Sequence, residues 1–151
     1  YHKMPVGTIL QVRQSHNTSN LTISSGSYTN LRELTIHPIS RNSLMYIRSH
    51  CQPRCFVTGN SRARFLNRIT RTDTDTNVDT TLLQNSETPQ WRNANFAGSG
   101  VEICGGSVIN EFCDWHRQIK PILYKYQVAR SDNNFDMGGH QYTLQVMEIM
   151  Q

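Results

Sequence analysis

The closing stretch, residues 141–151 (QYTLQVMEIMQ), constrains the fold more than any other part of the chain. Gly138 and Gly139 release the chain into it, and from Tyr142 the apolar residues alternate. Tyr142, Leu144 and Val146 fall on one face of an extended segment. Glu148 then stands where the fourth apolar residue is expected, while Met147 and Ile149 take the other face. A bulge near Val146 and Met147, or burial on both faces, accounts for this slip. Tyr142, Val146, Ile149 and Met150 also fit helical spacing, so a short helix is the rival. Strand is preferred because everything upstream reads as short strands. A chain that ends on its most apolar segment is expected to dock it centrally, where its backbone groups do not fray into water.

Upstream, residues 6–13 (VGTILQVR) read as a first strand, followed by a polar stretch over 16–28 around a short piece at 21–23. Residues 31–37 form the next strand, which Pro38 ends because proline cannot donate to a ladder. Arg41 and Asn42 make a turn into 43–48 (SLMYIR), whose run of four apolar residues predicts a strand covered on both sides. Residues 51–55 read as a loop, 56–57 and 64–71 as strands around a Gly59-Asn60 turn. Residues 72–95, rich in Thr, Asp and Asn, read as an exposed loop in which Leu82-Leu83 is a small strand or an anchor. Residues 101–109 are either two strands joined at Gly105-Gly106 or one bulged strand, continued by 112–116. The cleanest alternation is 123–130 (LYKYQVAR), with Tyr124, Tyr126 and Val128 inward and Lys125, Gln127 and Ala129 outward. Residues 132–139 are a turn region.

This pattern gives eight to ten short strands with turn signals about every ten residues and no convincing helix. The fold class is all-β: an antiparallel β-sandwich, with a jelly roll the natural arrangement, and 1–151 a single domain. Composition agrees. Only 17% of the 151 residues are charged and 36% hydrophobic, the rest being dominated by Ser, Thr, Asn, Gln and Gly. That is neither the disordered signature nor that of a helical domain. No apolar run approaches the ~18 residues of a bilayer span, so membrane insertion is not expected. No signal peptide is visible, and the chain opens on Tyr1 rather than Met, so the sequence leaves open whether residues precede it.

The net charge is +4. On a strand, Arg62, Arg64 and Arg68 share a face, with Arg71 near them, and a solvated basic stripe is the plain reading. No aromatic-rich strand motif accompanies it, so nucleic acid is not an expected partner; an acidic protein surface is the alternative. The spacings of Cys51, Cys55, Cys104 and Cys113 match no common zinc pattern. Free core thiols are preferred over disulfides, and over a metal site drawn with the nearby His50 and His116.

Residues 73–79 place Asp73, Asp75, Asn77 and Asp79 at alternate positions, as a calcium loop needs. Val78 sits where the sharp turn requires glycine, and Gln84 where the bidentate Glu belongs, so a solvated loop is preferred and no metal is expected. No Gly-x-Ser-x-Gly elbow, phosphate-binding glycine loop or His-Glu-x-x-His pair occurs. No catalytic residue and no cofactor are expected. Asn17 and Asn20 fit glycosylation sequons, relevant only in a eukaryotic secretory setting. Trp91 and Trp115 are candidates for stacking on sugar rings, although a Trp near a loop also serves as a packing anchor.

Four stretches taken in order resemble β-rich virion surface proteins of tailed phages, marine and cyanobacterial ones above all. Residues 7–14 (GTILQVRQ) resemble that group's opening G-x-V-L-Q-V strand, and 34–47 (LTIHPISRNSLMYI) its L-x-I-T-P-x-S-x-x-S-K-I-L-V segment. Residues 124–131 (YKYQVARS) resemble its Y-K-V-Q-x-R-S strand, and 144–149 (LQVMEI) its closing T-L-M-E-I. Leu44 stands for the family's lysine and His37 for its threonine; the cysteine loop and 72–95 have no counterpart. The resemblance implies a non-enzymatic, trimer-forming jelly roll on the outside of a virion, assembled in the host bacterial cytoplasm. It would decorate or cement the capsid, with itself and the major capsid protein as partners, or form the receptor- or glycan-binding head of a tail fibre. The sequence contains no shaft, which favours decoration, with the basic stripe facing an acidic capsid surface. Set beside T-L-M-E-I, the slip at Glu148 belongs to the pattern. A bulge or subunit contact is expected at Val146 and Met147, with Glu148 paired to an arginine.

Overall fold

A computed structural model describes residues 5–58, 62–85, 90–92, 101–115, 117, 119–131, 135–136 and 142–151. For 55–58, 62–63, 85, 90–92, 101–105, 131 and 135–136 it describes the backbone only. The described residues form thirteen strand segments and no helix: β1 (Ile9–Asn17), β2 (Thr22–Ile23), β3 (Thr29–Ile36), β4 (Ser43–Cys51), β5 (Arg54–Thr58), β6 (Arg62–Asp73), β7 (Val78–Asn85), β8 (Gln90–Arg92), β9 (Val101–Gly105), β10 (Val108–Asp114), β11 (Ile122–Ser131), β12 (Phe135–Asp136) and β13 (Tyr142–Met150).

The first sheet has the order β1-β13-β4-β10 and the second β3-β11-β6-β7, with β8 pairing the far part of β6. Every pairing is antiparallel. Followed in chain order, these eight strands cross from sheet to sheet at every step except the β6–β7 hairpin. That is the winding of a jelly roll, two interlocked Greek keys closed face to face. The closing strand is central, as expected, between β1 and β4. A third, small sheet runs β2-β12-β5-β9. Each of its strands comes from a different long connection (β1 to β3, β11 to β13, β4 to β6 and β7 to β10), so it closes one end of the sandwich. The other end carries the short connections 37–42, 74–77 and 115–121, together with the start of β1 and the end of β13.

The core lies between the two large sheets and contains Ile36, Met45, Ile47, Phe65, Ile69, Ile122, Tyr124, Tyr126, Val128, Leu144 and Val146, all essentially inaccessible. Burying each such side chain contributes about 1.5–3 kcal/mol. Two polar clusters cross this layer. In one, the Tyr126 hydroxyl lies 3.0 Å from Cys51 Sγ, and Asn110 Nδ2 donates to Ser49 Oγ at 3.1 Å and to Asn67 Oδ1 at 2.8 Å. In the other, Asp114 of β10 accepts from Arg71 Nη1 (2.6 Å) on β6 and from the Tyr124 hydroxyl (2.7 Å) on β11. Both clusters tie the β4–β10 side of the first sheet to the centre of the second.

The inward alternation of β11 is as the sequence predicts, with Tyr124, Tyr126 and Val128 buried. Its outward side is less open than expected, since Gln127 and Ala129 are buried too. Several boundaries differ. Strands β4 and β5 consume most of the predicted 51–55 loop. The 72–95 segment is no irregular loop: β6 runs to Asp73, a tight turn follows, and β7 is an eight-residue edge strand. In that turn Asn77 takes φ 56° and its N–H donates to the Asp73 carbonyl at 2.8 Å. Asn tolerates this left-handed region better than most residues, so glycine is not required. Residues 101–109 are two strands in different sheets.

The bulge lies in β1, between Ile9 and Gln11, rather than in β13. Strand β13 keeps perfect alternation, and Tyr142, Leu144, Val146 and Glu148 all face inward and are buried. Among the described residues Glu148 pairs with no arginine, contrary to expectation. Its Oε1 accepts from Ile39 N (2.8 Å), Ser40 N (2.9 Å) and Ser43 Oγ (2.7 Å), and its Oε2 from Gln11 Nε2 (2.6 Å). Leu10 is the extra residue of the bulge, which leaves Gln11 facing Glu148 across the ladder. Gln11 Nε2 also donates to the His37 carbonyl at 2.6 Å. One inward carboxylate therefore fastens the 37–42 connection and the start of β1 to the central strand.

Candidate interaction surface

The outer faces of the two large sheets differ in chemistry. On the second sheet, cross-strand polar pairs share the face with Leu66, Leu123 and Ala129. Gln127 Nε2 donates to Asn30 Oδ1 (2.7 Å), and Arg68 Nε donates to Gln127 Oε1 (2.6 Å) with its guanidinium 4.1 Å from the Tyr28 ring centre. Lys125 Nζ reaches Asp79 at 3.0 Å, and Thr72 Oγ1 donates to the same carboxylate at 2.6 Å. The Thr72 hydrogen bond, then Lys125, hold the Asp79 pKa below its ordinary value against a smaller opposing effect of burial. These pairs hydrogen-bond one another, and Thr72 and Gln127 are themselves buried within them.

On the first sheet, alternation turns Val12, Met147, Tyr46 and Cys113 outward in one register row, with Ile149 and Leu44 in the next. Val12 is 49% exposed, and Leu44, Tyr46, Met147 and Ile149 are half-buried. No side chain of these two rows is charged. The strip continues onto the short-connection end, where Val6, Ile9, Ile39, Trp115 and Ile119 are exposed. Gly7 places Val6 there: at φ 87° it bends the chain so that its N–H donates to the Met150 carbonyl at 2.8 Å. Arg41, Arg117 and Lys120 stand around Ile119 in a concavity of about 460 Å³. Only Lys120 among these three has an acidic partner among the described residues, Asp75.

Further along the same face the chemistry changes. Gln14, Gln145, Arg48 and Glu111 form one register row, and His16, Thr143, His50 and Ile109 the next. They border a groove of about 330 Å³ lined by Gln14, Arg48, His50, Ile109, Thr143 and Gln145. Arg48 Nε lies 3.6 Å from Glu111, and His50 Nε2 is 2.8 Å from Ser107 Oγ. Burial and the neighbouring Arg48 charge push the His50 pKa down, so the imidazole is neutral at pH 7.

The residues weighed for metal chemistry are not brought together. The Asp73 side chain accepts from Asp75 N at 2.9 Å, Asp75 turns to Lys120, and Asp79 turns to Thr72 and Lys125. Cys51 is buried in the core with its thiol pKa pushed up to about 12 by burial, and Cys113 is exposed on the outer face. Both are free thiols, but only Cys51 is the core thiol expected; Cys113 lies at the surface. Cys55 and Cys104 lie opposite each other in the β5–β9 register, with their side chains outside the description, as are His116 and the Trp91 side chain. Among the described residues no group of three His, Cys, Asp or Glu side chains forms a metal site. Positions 62, 64 and 68 of β6 do share a face, but Arg71 points inward to Asp114 and Arg68 is committed to Gln127 and Tyr28. Arg68 and Arg71 are thus committed to local pairs, and the Arg62 side chain lies outside the described ones.

No protein-family model matches the chain, and no curated protein is significantly similar to it. Among solved structures, similarity is found to the VP2 subviral particle of infectious bursal disease virus. It has a TM-score of 0.36 and 12% identity over 95% of this chain and 38% of that one. A D431N mutant VP2 of the same virus, in its T=1 particles, gives a TM-score of 0.39 and 11% identity, over 93% of this chain and 37% of that one. The chain thus spans little more than a third of these capsid proteins, neither of which is from a phage. An overlap this loose transfers no role.

Proposed function

We propose that the chain is a non-enzymatic structural subunit of a virion surface, folding as one unit over 1–151 and working as a homotrimeric capsid decoration or cement protein of a tailed phage. One observation carries the reading: the two outer faces of one sandwich differ, the second sheet carrying cross-strand polar pairs and one half of the first an uncharged apolar strip. An apolar strip on an otherwise polar surface is covered in the working assembly. Because the strip carries no charge, copies of the chain can bury it against one another around a threefold axis without burying an unpaired ion. The short-connection end adds the exposed Trp115 and, around Ile119, Arg41, Arg117 and Lys120, which suits an acidic surface on the particle. The ordered phage-like motifs support the tailed-phage assignment, and the major capsid protein is the natural acidic partner.

The test is the mass in solution. At micromolar concentration the chain is expected at three times its 17.4 kDa monomer mass. Met147→Glu, placing a carboxylate in the middle of the strip, is expected to return it to monomer with its melting temperature little changed. A wild-type chain that is strictly monomeric, or a Met147→Glu chain that still forms trimers, contradicts the proposed contact.

A further inference from the structure

We infer that the groove across the first sheet, bordered by Gln14, Arg48, His50, Ile109, Thr143 and Gln145, binds a neutral oligosaccharide. The inference is separate from the assembly reading, because the groove occupies the polar half of the face and the proposed subunit contact the apolar half.

The lining chemistry selects the ligand. No side-chain hydrogen bond within the described residues engages Gln14, Thr143 or Gln145, so two amides and a hydroxyl present donors and acceptors to whatever enters. His50, held neutral, offers a ring nitrogen with its proton free to sit on either side. The single cation, Arg48, is partly balanced by Glu111. A phosphate or sulfate finds no second cation here, and a metal ion no carboxylate cluster. A polyhydroxylated ring, whose free hydroxyls both donate and accept, finds matched partners on three strands. Ile109, half exposed on the β10 edge, supplies an apolar contact for the C–H face of such a ring. The groove reaches from Gln14 on edge strand β1 to Ile109 on edge strand β10, three strand spacings or about 14 Å, room for a short linear oligosaccharide laid across the strands. The rows are rigid, since each side chain springs from paired backbone rather than from a loop, so little ordering is lost on binding.

The experiment uses the full chain on an array of neutral, sialylated and sulfated oligosaccharides, followed by calorimetric titration of the strongest binders. Binding to one or more neutral sugars is expected, at an affinity that barely changes between 50 and 500 mM salt. Gln14→Ala and Gln145→Ala, both on the outward face, are expected to weaken it at least about tenfold while leaving the melting temperature unchanged. Glu33→Gln, on the other sheet, is expected to leave it unaltered. Absence of any sugar binding up to millimolar concentration overturns the inference. So does binding confined to sulfated or sialylated chains with a steep salt dependence, which reports an anion on the exposed cations, and so does binding that survives both glutamine variants. None of these outcomes bears on the solution mass, so the two readings fail independently.

Discussion

Glu148→Ala is expected to lower the unfolding free energy by about 3–5 kcal/mol, the cost of leaving buried donors without the carboxylate that accepts from them. The carboxylate is fully inaccessible, and its loss leaves the Ile39 and Ser40 N–H groups without their acceptor, while the Ser43 hydroxyl and the Gln11 amide keep only the Ser40 and His37 carbonyls. Against a typical total of about 5–15 kcal/mol, such a loss brings the chain close to unfolding. The isosteric Glu148→Gln keeps one acceptor oxygen but points an NH₂ at groups that already donate, so about 1–3 kcal/mol is expected to be lost. The pH dependence separates charge from shape. Burial alone raises this group's pKa; the hydrogen bonds from Gln11, Ile39, Ser40 and Ser43 outweigh it and leave the folded value below the ordinary 4.5. The stabilisation is therefore complete above about pH 4.5 and is lost as pH falls through the lower folded value. Urea unfolding at a series of pH values checks this. The gap between wild type and Glu148→Gln is expected to be widest at neutral pH and to shrink across that acidic window; a gap independent of pH contradicts the clamp.

Asp114→Ala is expected to cost a similar amount, about 3–5 kcal/mol, because it abandons the Arg71 guanidinium on the inner face of the second sheet. The Tyr124 hydroxyl loses its acceptor at the same time. Burial and the neighbouring Asp114 charge push the tyrosine pKa far up, so this hydroxyl stays a donor throughout the ordinary pH range. The pair is costly to break and cheap to replace: Arg71→Met with Asp114→Leu, filling the same space with apolar atoms, is expected to recover most of the loss. Denaturant midpoints of the three proteins check it. A single Asp114→Ala variant within about 1 kcal/mol of wild type shows the triad to be solvated rather than buried.

These two residues mark where sequence patterning stopped being informative. Period-2 alternation located β11 and β13 because their inward sides are apolar and central, and the spacing of turns suggested a jelly roll. Glu148 looked like a slip because its inward position is polar. Its partners lie more than 100 residues away, in Gln11, Ile39, Ser40 and Ser43, and no local pattern announces them. Strand β7 was read as loop because it is an edge strand whose Asp79, Thr80 and Thr81 face solvent, leaving only Leu82 and Leu83 to pack inward. Arg71 falls at the opposite parity to the basic stripe at 62, 64 and 68, and no local pattern says that an inward carboxylate awaits it. The interaction surface was partly legible. Leu44, Tyr46, Met147 and Ile149 are apolar residues on the nominally outer side of their strands, visible as the four-residue run in 43–48 and the double-sided end of β13. The polar groove was not legible, since it assembles single residues from four strands that meet only in the folded sheet.

The assembly reading is tested most directly by cryo-electron microscopy of the virus particle that carries this chain. The account predicts copies grouped in threes on the outside of the particle. Each should have the Val12, Tyr46 and Met147 strip of the first sheet turned toward its neighbours, the Trp115 and Ile119 end against the capsid, and the polar second sheet toward solvent. A particle that lacks the chain, or one in which single copies bury the second sheet and leave the apolar strip in water, contradicts it.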